Sequence, residues 1–231
     1  MRVALISDIH GNLVALEAVL ADLGHEQPDR ILCLGDVAAT GPQPRETLDR
    51  LRALGWPIVM GNADAALLGP IPETEADGDV RRIEEIDRWC AGQLSPADLD
   101  YLRGFRPTLE VSLGHGLTLL CFHGSPRSFD DLIEATTPED ELEYLFSGHD
   151  AAVMAGGHTH AQLVRRHGER TVLNPGSVGL NPPWAEYALV SSEGGDLRIE
   201  MRRMELSGEA VARVALESGM PHAEWWASFW G

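Results

Sequence analysis

The stretch Arg2-Val3-Ala4-Leu5-Ile6-Ser7-Asp8-Ile9-His10-Gly11-Asn12 decides how the rest of the chain is read. Arg2–Ser7 is a short apolar run that ends in polar residues, the pattern of a buried strand. Asp8 and His10 follow it directly. Asn12 is an N-cap type ahead of Leu13, Leu16, Leu20 and Leu23 at helical spacing, and Gly24 suits the C′ position. A second apolar run, Ile31–Leu34, ends at Gly35-Asp36. A helix is expected over Thr47–Leu54, closed by Gly55, and a third short strand, Pro57–Met60, ends at Gly61-Asn62. Strand, helix, strand, helix, strand implies an α/β fold with a mostly parallel sheet.

Beyond this unit, the acidic, Pro- and Gly-containing segment Pro70–Asp79 reads as a loop and Val80–Ala91 as a helix. Ser95-Pro96 is an N-cap and N1 pair for a helix running to Leu102. Hairpins are expected at Thr108–Leu113 with Leu117–Phe122, at Gln162–Arg166 with Arg170–Leu173, and at Glu186–Ser191 with Leu197–Arg203. Between and after them come a short helix at Pro138–Phe146, a buried strand at Ala151–Ala155, and a last helix at Glu209–Glu217 capped by Ser207. Two sheets packed face to face, with helices outside, would bury all of these strands.

The chain has 231 residues, 44% of them hydrophobic and 23% charged, which excludes general disorder and fits one domain over 1–231. All 18 basic residues are Arg, against 36 acidic ones, for a formal net charge of −18. Without lysine there is neither a Schiff base nor a P-loop. The acidic balance argues against a protein that coats nucleic acid, unless bound metals supply local positive charge. The start turns polar too early for a signal peptide, and no apolar run approaches the length of a membrane span. Cys33, Cys90 and Cys121 form an odd set without a CxxC; buried thiols in a reducing cytosol are the simplest reading, so a cytoplasmic location is expected.

Residues of metal-ligating type collect at the strand ends: Asp8 and His10, Asp36, Asn62, His123, then His158 and His160. In an open α/β sheet a site forms outside the carboxyl ends of the strands, so five loops can converge on one place. Asp8/His10 and His158/His160 are spaced i, i+2. In extended backbone that sets both side chains on one side, roughly 6–7 Å apart. This separation suits two metal ions roughly 3.5–4 Å apart, with one residue of a pair serving each ion. Asp, Asn and His ligands together fit Mn, Fe, Ni, Co or Zn. Taken singly, each residue has a plainer role: Gly-Asp as a turn, Asp8 as a helix cap, His123 as a core histidine.

In this order, Asp8-x-His10, Gly35-Asp36, Gly61-Asn62, His123-Gly124 and Gly157-His158-Thr159-His160 resemble the five motifs of the calcineurin-like metallophosphoesterases. The resemblance spans Arg2 to about Val190. Ser7-Asp8-Ile9-His10-Gly11-Asn12 and Asn174-Pro175-Gly176-Ser177 are similar to the small bacterial and archaeal phosphoesterases without accessory domains. The family resemblance implies a four-layer α/β/β/α sandwich. It also implies that Asp8, His10 and His160 hold a first metal, that Asn62, His123 and His158 hold a second, and that Asp36 bridges them. The implied activity is phosphoester hydrolysis by a hydroxide between two divalent ions, on a small phosphorylated substrate such as a phosphodiester or nucleotide. The alternative is a non-catalytic scaffold or a sensor on the same fold that binds metal or nucleotide without turnover; loss of ligands would favour the scaffold, and here all seven ligand positions are filled.

One position departs from the family pattern. Where the family usually reads Gly-Asn-His-Asp/Glu, this chain reads Gly61-Asn62-Ala63-Asp64. The missing histidine normally stabilises developing charge or protonates the leaving oxygen. General acid catalysis is worth roughly 10²–10⁴-fold, so a slower or more selective enzyme is expected. Asp64 either orients a neighbouring ligand or caps a helix. Asp36, Asn62 and Asp64 are thus the candidate catalytic residues. Arg127 is the candidate phosphate clamp, with a surface salt bridge as its alternative. Asn12 reads as a helix cap and Arg81 and Arg82 as a solvated helix face, while His25, His115, His149, His167 and His222 are assigned no chemistry.

Trp225, Trp226, Phe229 and Trp230 crowd four aromatics into the last seven residues, on one side of a helical turn. This tail, from about residue 221, is expected to dock on the protein's own sheet or helices, with a homodimer contact as the alternative. Its sequence distance from the motifs predicts no catalytic role.

Overall fold

In the first strand, β1 (Arg2–Ile6), Val3 and Leu5 face one way and Ala4 and Ile6 the other, and all four are buried. A strand apolar on both faces needs a layer on each side. The computed structural model, which describes residues 1–71 and 77–231, shows those layers. The chain continues through α1 (Leu13–Glu26), β2 (Arg30–Cys33), α2 (Pro44–Leu54), α3 (Asn62–Leu67), α4 (Asp79–Gln93) and α5 (Pro96–Arg103). Next come β3 (Leu109–Gly114), β4 (Leu117–Cys121), α6 (Glu139–Leu145), β5 (Val153–Ala155), β6 (Leu163–His167) and β7 (Arg170–Asn174). A long hairpin, β8 (Trp184–Glu193) and β9 (Asp196–Glu205), precedes α7 (Gly208–Glu217) and α8 (Ala223–Ala227).

The strands form two sheets, in the orders β2-β1-β8-β9 and β3-β4-β5-β7-β6. Alternation along each strand sorts the apolar side chains into three cores. Val3, Leu5, Leu32, Leu119, Val153 and Leu173 meet between the sheets. Ala4, Ile6 and Tyr187 pack outward against Leu16, Leu48 and Val211 of the helices. Leu120, Met154 and Val172 pack outward against Leu142 and Leu145 of α6. The result is the expected four-layer α/β/β/α sandwich.

The sheets are mixed, not mostly parallel. β1/β2, β4/β5 and β5/β7 run parallel, whereas β8 returns antiparallel to β1 and carries β9 with it. The β8 strand is buried on both faces, so it competes successfully for the place beside β1. Pro57–Met60 makes only the parallel bridges Cys33↔Ile58 and Val59↔Arg106. Pro57 has no N–H to give a ladder, and the chain turns into α3 at Gly61. Helix α1 passes through Gly24 and ends at Gln27, whose φ of 46° supplies the left-handed cap. Of the expected loop 70–79, residues 72–76 lie outside the described residues, and α4 already begins at Asp79. Among the described residues no helix is long and apolar enough to cross a membrane.

Half of the aromatic tail docks on the protein itself: Trp226 and Trp230 turn inward, whereas Phe229 is exposed and Trp225 half-buried, so the four rings do not share one side. Trp226 and Trp230 are buried with their rings 5.8 Å apart, and Trp226 Nε1 donates to the Thr40 carbonyl at 2.8 Å. His222 Nε2 pairs with Glu85 of α4 at 2.6 Å. At the other end Gly208 admits the chain terminus, since a Cβ there would lie 1.6 Å from the Trp230 carbonyl oxygen. Burial of a large apolar side chain contributes roughly 1.5–3 kcal/mol, and in a protein of this size 1 kcal/mol moves Tm by about 2–4 °C. Deleting the residues after Met220 is therefore expected to lower Tm by on the order of 10 °C in calorimetry; an unchanged Tm would show that the docked tail contributes nothing.

Candidate active site

The strands β1, β2, β4 and β5 all present their carboxyl ends at one edge of the sandwich, and the bridge at Val59 adds a fifth chain. Asp8 and His10 follow β1, Asp36 follows β2, and Asn62 follows the bridge. His123 follows β4, and His158 and His160 follow β5. The structure brings all seven together. It does so in a backbone that is not extended: Asp8, His10, Asp36, His158 and His160 have φ of 55°, 48°, 54°, 68° and 57°. The i, i+2 pairs thus converge through left-handed residues, and Asp and His are among the side chains that tolerate that region best. Cross-loop bonds fix the conformation. Asp8 N donates to Gly35 O, His10 N to Asp36 O and Gly157 N to His123 O, at 2.8–3.0 Å. Gly61 lets the second and third loops touch, because a Cβ there would lie 2.1 Å from Asp36 Oδ1.

Two groups of ligand-type atoms result, Asp8 with His10 and His160, and Asp36 with His123 and His158. Within each group the atoms lie within 4.8 Å of one another. The His158/His160 pair is split between the groups, as its spacing suggested, but Asp8 and His10 stay together. The groups also meet. Asp36 Oδ2 is 3.2 Å from His123 Nε2 and 3.8 Å from His10 Nε2, while Asp8 Oδ1 is 3.4 Å from His160 Nε2 and 4.0 Å from His123 Nε2. Asn62 Oδ1 lies 3.0 Å from His123 Nε2. Backbone carbonyls aim the rings: His10 Nδ1 meets Ala39 O at 3.1 Å, and His123 Nδ1 meets Leu34 O at 2.7 Å. Each carbonyl accepts from the Nδ1–H of its ring and so aims Nε2 inward.

The electrostatics are those of a site built for cations. Asp8 Oδ1 is buried without a hydrogen-bond donor, and His10 Nε2 faces His160 Nε2 at 3.2 Å. Carboxylate, imidazole and amide oxygen together are a donor set suited to divalent ions. Burial, with His160 adding to it, lowers the His10 pKa to about 4, so the ring is neutral. Burial also disfavours a charged His123, but the Asp36 carboxylate beside it prevails and raises its pKa to about 10. Asp36 in turn is held well below the carboxylate range despite its burial, chiefly by His123.

Asp64 is both a helix cap and a clamp. Its carboxylate accepts from Asp36 N at 2.8 Å, Val37 N at 2.9 Å and Gly61 N at 3.1 Å, joining two ligand loops. Burial and the nearby Asp36 charge raise its pKa to about 7. Asn12 caps α1 through Ala15 N and ties down Gly179 O. Arg127 is exposed with its guanidinium 4.3 Å over the Tyr144 ring, so a phosphate contact would require it to leave that ring. Arg82 pairs with Asp79 and lies 5.4 Å over Trp225.

The sequence singles out the Asn174-Pro175-Gly176-Ser177 stretch but not the bonds it makes. Asn174 Nδ2 holds Gly157 O at 2.6 Å and Thr159 Oγ1 at 3.0 Å, and Ser177 Oγ donates to Asp8 O at 2.8 Å. The Asn174-Pro175-Gly176-Ser177 turn is thus a strut under two ligand loops. The tail is also nearer than the sequence suggests: Trp225 and Phe229 share a cleft with His160, so distance in sequence is not distance in space here.

The sequence profile of the calcineurin-like phosphoesterase superfamily domain matches residues 1–195. The chain belongs to that superfamily. A metallophosphoesterase from Sphaerobacter thermophilus is 29% identical, with a TM-score of 0.77 over 100% of this chain and 98% of that one. An uncharacterized protein of Methanocaldococcus jannaschii is 26% identical over 96% of this chain and 94% of its own length. A symmetrical bis(5'-nucleosyl)-tetraphosphatase of Pectobacterium carotovorum is 29% identical over 64% of this chain, which spans about half the length of that enzyme. The protein is a phosphoesterase hydrolase of a family that uses divalent metals, and its two ligand groups are the candidate metal-binding sets.

Replacing Asp64 with Ala strips three buried N–H groups of their acceptor, at about 1–3 kcal/mol each. Asp64→Ala is expected to cost at least ~3 kcal/mol, and Asp64→Asn, which keeps one acceptor, less. Denaturant titration reads both, and equal stability of the two variants would remove the clamp role.

Proposed function

We propose that this phosphoesterase works with two divalent ions, Mn, Fe, Ni, Co or Zn, on small phosphodiesters or nucleotides. Asp8, His10 and His160 hold one ion, Asn62, His123 and His158 the other, and Asp36 bridges them. The observation that carries this reading is Asp36 Oδ2, which lies between one imidazole nitrogen of each group. When bound, two divalent ions lower the pKa of coordinated water toward neutrality and offset charge on phosphoryl oxygens. The protein's own part is orientation. Ala63 N donates to Asp36 Oδ1 at 2.9 Å and leaves Oδ2 free for the centre. Ala39 and Leu34 carbonyls fix the two buried rings. Ala63 brings no proton donor to the leaving oxygen. A nucleotide-like substrate is supported by the tetraphosphatase among the relatives. The buried thiols Cys33, Cys90 and Cys121 suit a cytoplasmic enzyme.

Chelation is expected to abolish hydrolysis of bis(p-nitrophenyl) phosphate, and added manganese to restore it. Asp36→Asn should lower kcat by more than about 10²-fold, a typical cost of removing one preorganised electrostatic group, and by more than a change at any other ligand. Turnover that survives chelation overturns the proposal, and a chain that binds manganese without turnover is a scaffold.

Ala63 generates a second expectation. At saturation, aryl phosphodiesters should be cleaved faster than alkyl ones, since a good leaving group needs no protonation. Ala63→His should narrow that gap, within the roughly 10²–10⁴-fold that general acid catalysis supplies. Equal kcat on both ester types in the wild-type protein would mean that another group delivers the proton.

A further inference from the structure

Beside His160 opens a cleft of ≈ 330 Å³. Its walls are apolar: Ile83 of α4, Leu180 and Pro182 of the loop before β8, and Trp225 and Phe229 of the tail. The Trp225 and Phe229 rings meet edge to face at 5.0 Å, and the Arg82 guanidinium lies 5.4 Å from the Trp225 ring centre. Phe229 is 53% exposed and Ile83 37% exposed, so this surface is left in water. The buried half of the same tail, Trp226 and Trp230, anchors it. Among the polar groups at the cleft, Asp79 pairs with Arg82 through one carboxylate oxygen, Thr40 Oγ1 donates to Asp87, and the Thr40 carbonyl accepts from Trp226.

We propose that this cleft is the subsite for the nucleobase of the substrate, with Trp225 and Phe229 as its specificity-determining residues. It deepens the phosphoesterase reading above and rests on it. A phosphate seated at the ligand groups would have His160 at its side, and a nucleoside attached to it would reach the aromatic walls. The volume falls in the range of small-ligand pockets, roughly 300–1,000 Å³, and is enough to hold a heterocycle. Aromatic faces and a guanidinium favour a flat π-system over an aliphatic chain. With apolar and aromatic side chains making most of the wall, stacking is the main recognition the cleft offers. Stacking tolerates every base, so adenine and uracil should be accepted alike.

The test is titration calorimetry on the full-length, manganese-loaded protein with AMP, UMP, phenyl phosphate and methyl phosphate. AMP and UMP are expected to bind more tightly than phenyl phosphate, and phenyl phosphate more tightly than methyl phosphate. Trp225→Ala, and separately the exposed Phe229→Ala, should lower the AMP-to-methyl-phosphate affinity ratio by about 5–150-fold, the usual span for one lost stacking partner. Trp225→Phe should restore most of it. Three results overturn the proposal: an unchanged ratio in both alanine variants, phenyl phosphate binding more tightly than AMP, or a dimer in light scattering that Phe229→Ala dissociates while AMP affinity is kept. If no phosphate compound binds and chromogenic diesters are not cleaved, the phosphoesterase reading falls first. If methyl phosphate binds as well as AMP, only the subsite does.

Discussion

Two buried carboxylates, Asp8 and Asp36, face one another's charge among the imidazoles of His10, His123, His158 and His160. Removing such groups from water is costly unless each is paired or bound to an ion. The rest of the structure answers that constraint. Two sheets bring their parallel strands to one edge so that five loops can meet. Left-handed residues then bend each loop inward, and backbone carbonyls take the outward ring protons. Asp64 and the Asn174–Ser177 turn lie behind the ligands and hold the loops against that mutual repulsion.

Much of this was legible in the sequence because it is periodic or local. The apolar run of β1, the Asn12 and Ser207 caps, and the polar residues after each strand are all short-range signals. The clustering of these side chains could be read because Asp8-x-His10 and His158-x-His160 stand where strands must end. Long-range partners were not legible. Nothing in Glu186–Ser191 says that it will lie antiparallel to β1 instead of extending a parallel sheet. Left-handed backbone at Asp8 or His160 leaves no periodic trace. Asn174 reads as a turn residue because its partners, Gly157 and Thr159, are met only after folding.

The tail makes the same point for the site itself. Trp226 and Trp230 behave as a hydrophobic anchor, which composition alone suggests. Trp225 and Phe229 lie beside His160 because α8 packs across Thr40, in the segment that follows Asp36. The thermal stability of the C-terminus and the shape of the cleft therefore share one set of contacts. In that arrangement a buried aromatic pair and a more exposed one alternate along one short segment, α8 and the turn after it.

The left-handed ligands carry one more consequence, for how such a protein can drift. A backbone held at φ near 50–70° admits Asp, Asn, His and Gly with little strain and resists bulky or β-branched residues. At Asp8 or Asp36 the tolerated neighbour of the same size is Asn, a neutral and weaker ligand. A single nucleotide change of Asp to Asn would weaken chemistry while sparing architecture. Descendants of this scaffold can shed catalysis and keep their shape, which makes a folded, inactive relative an accessible evolutionary endpoint.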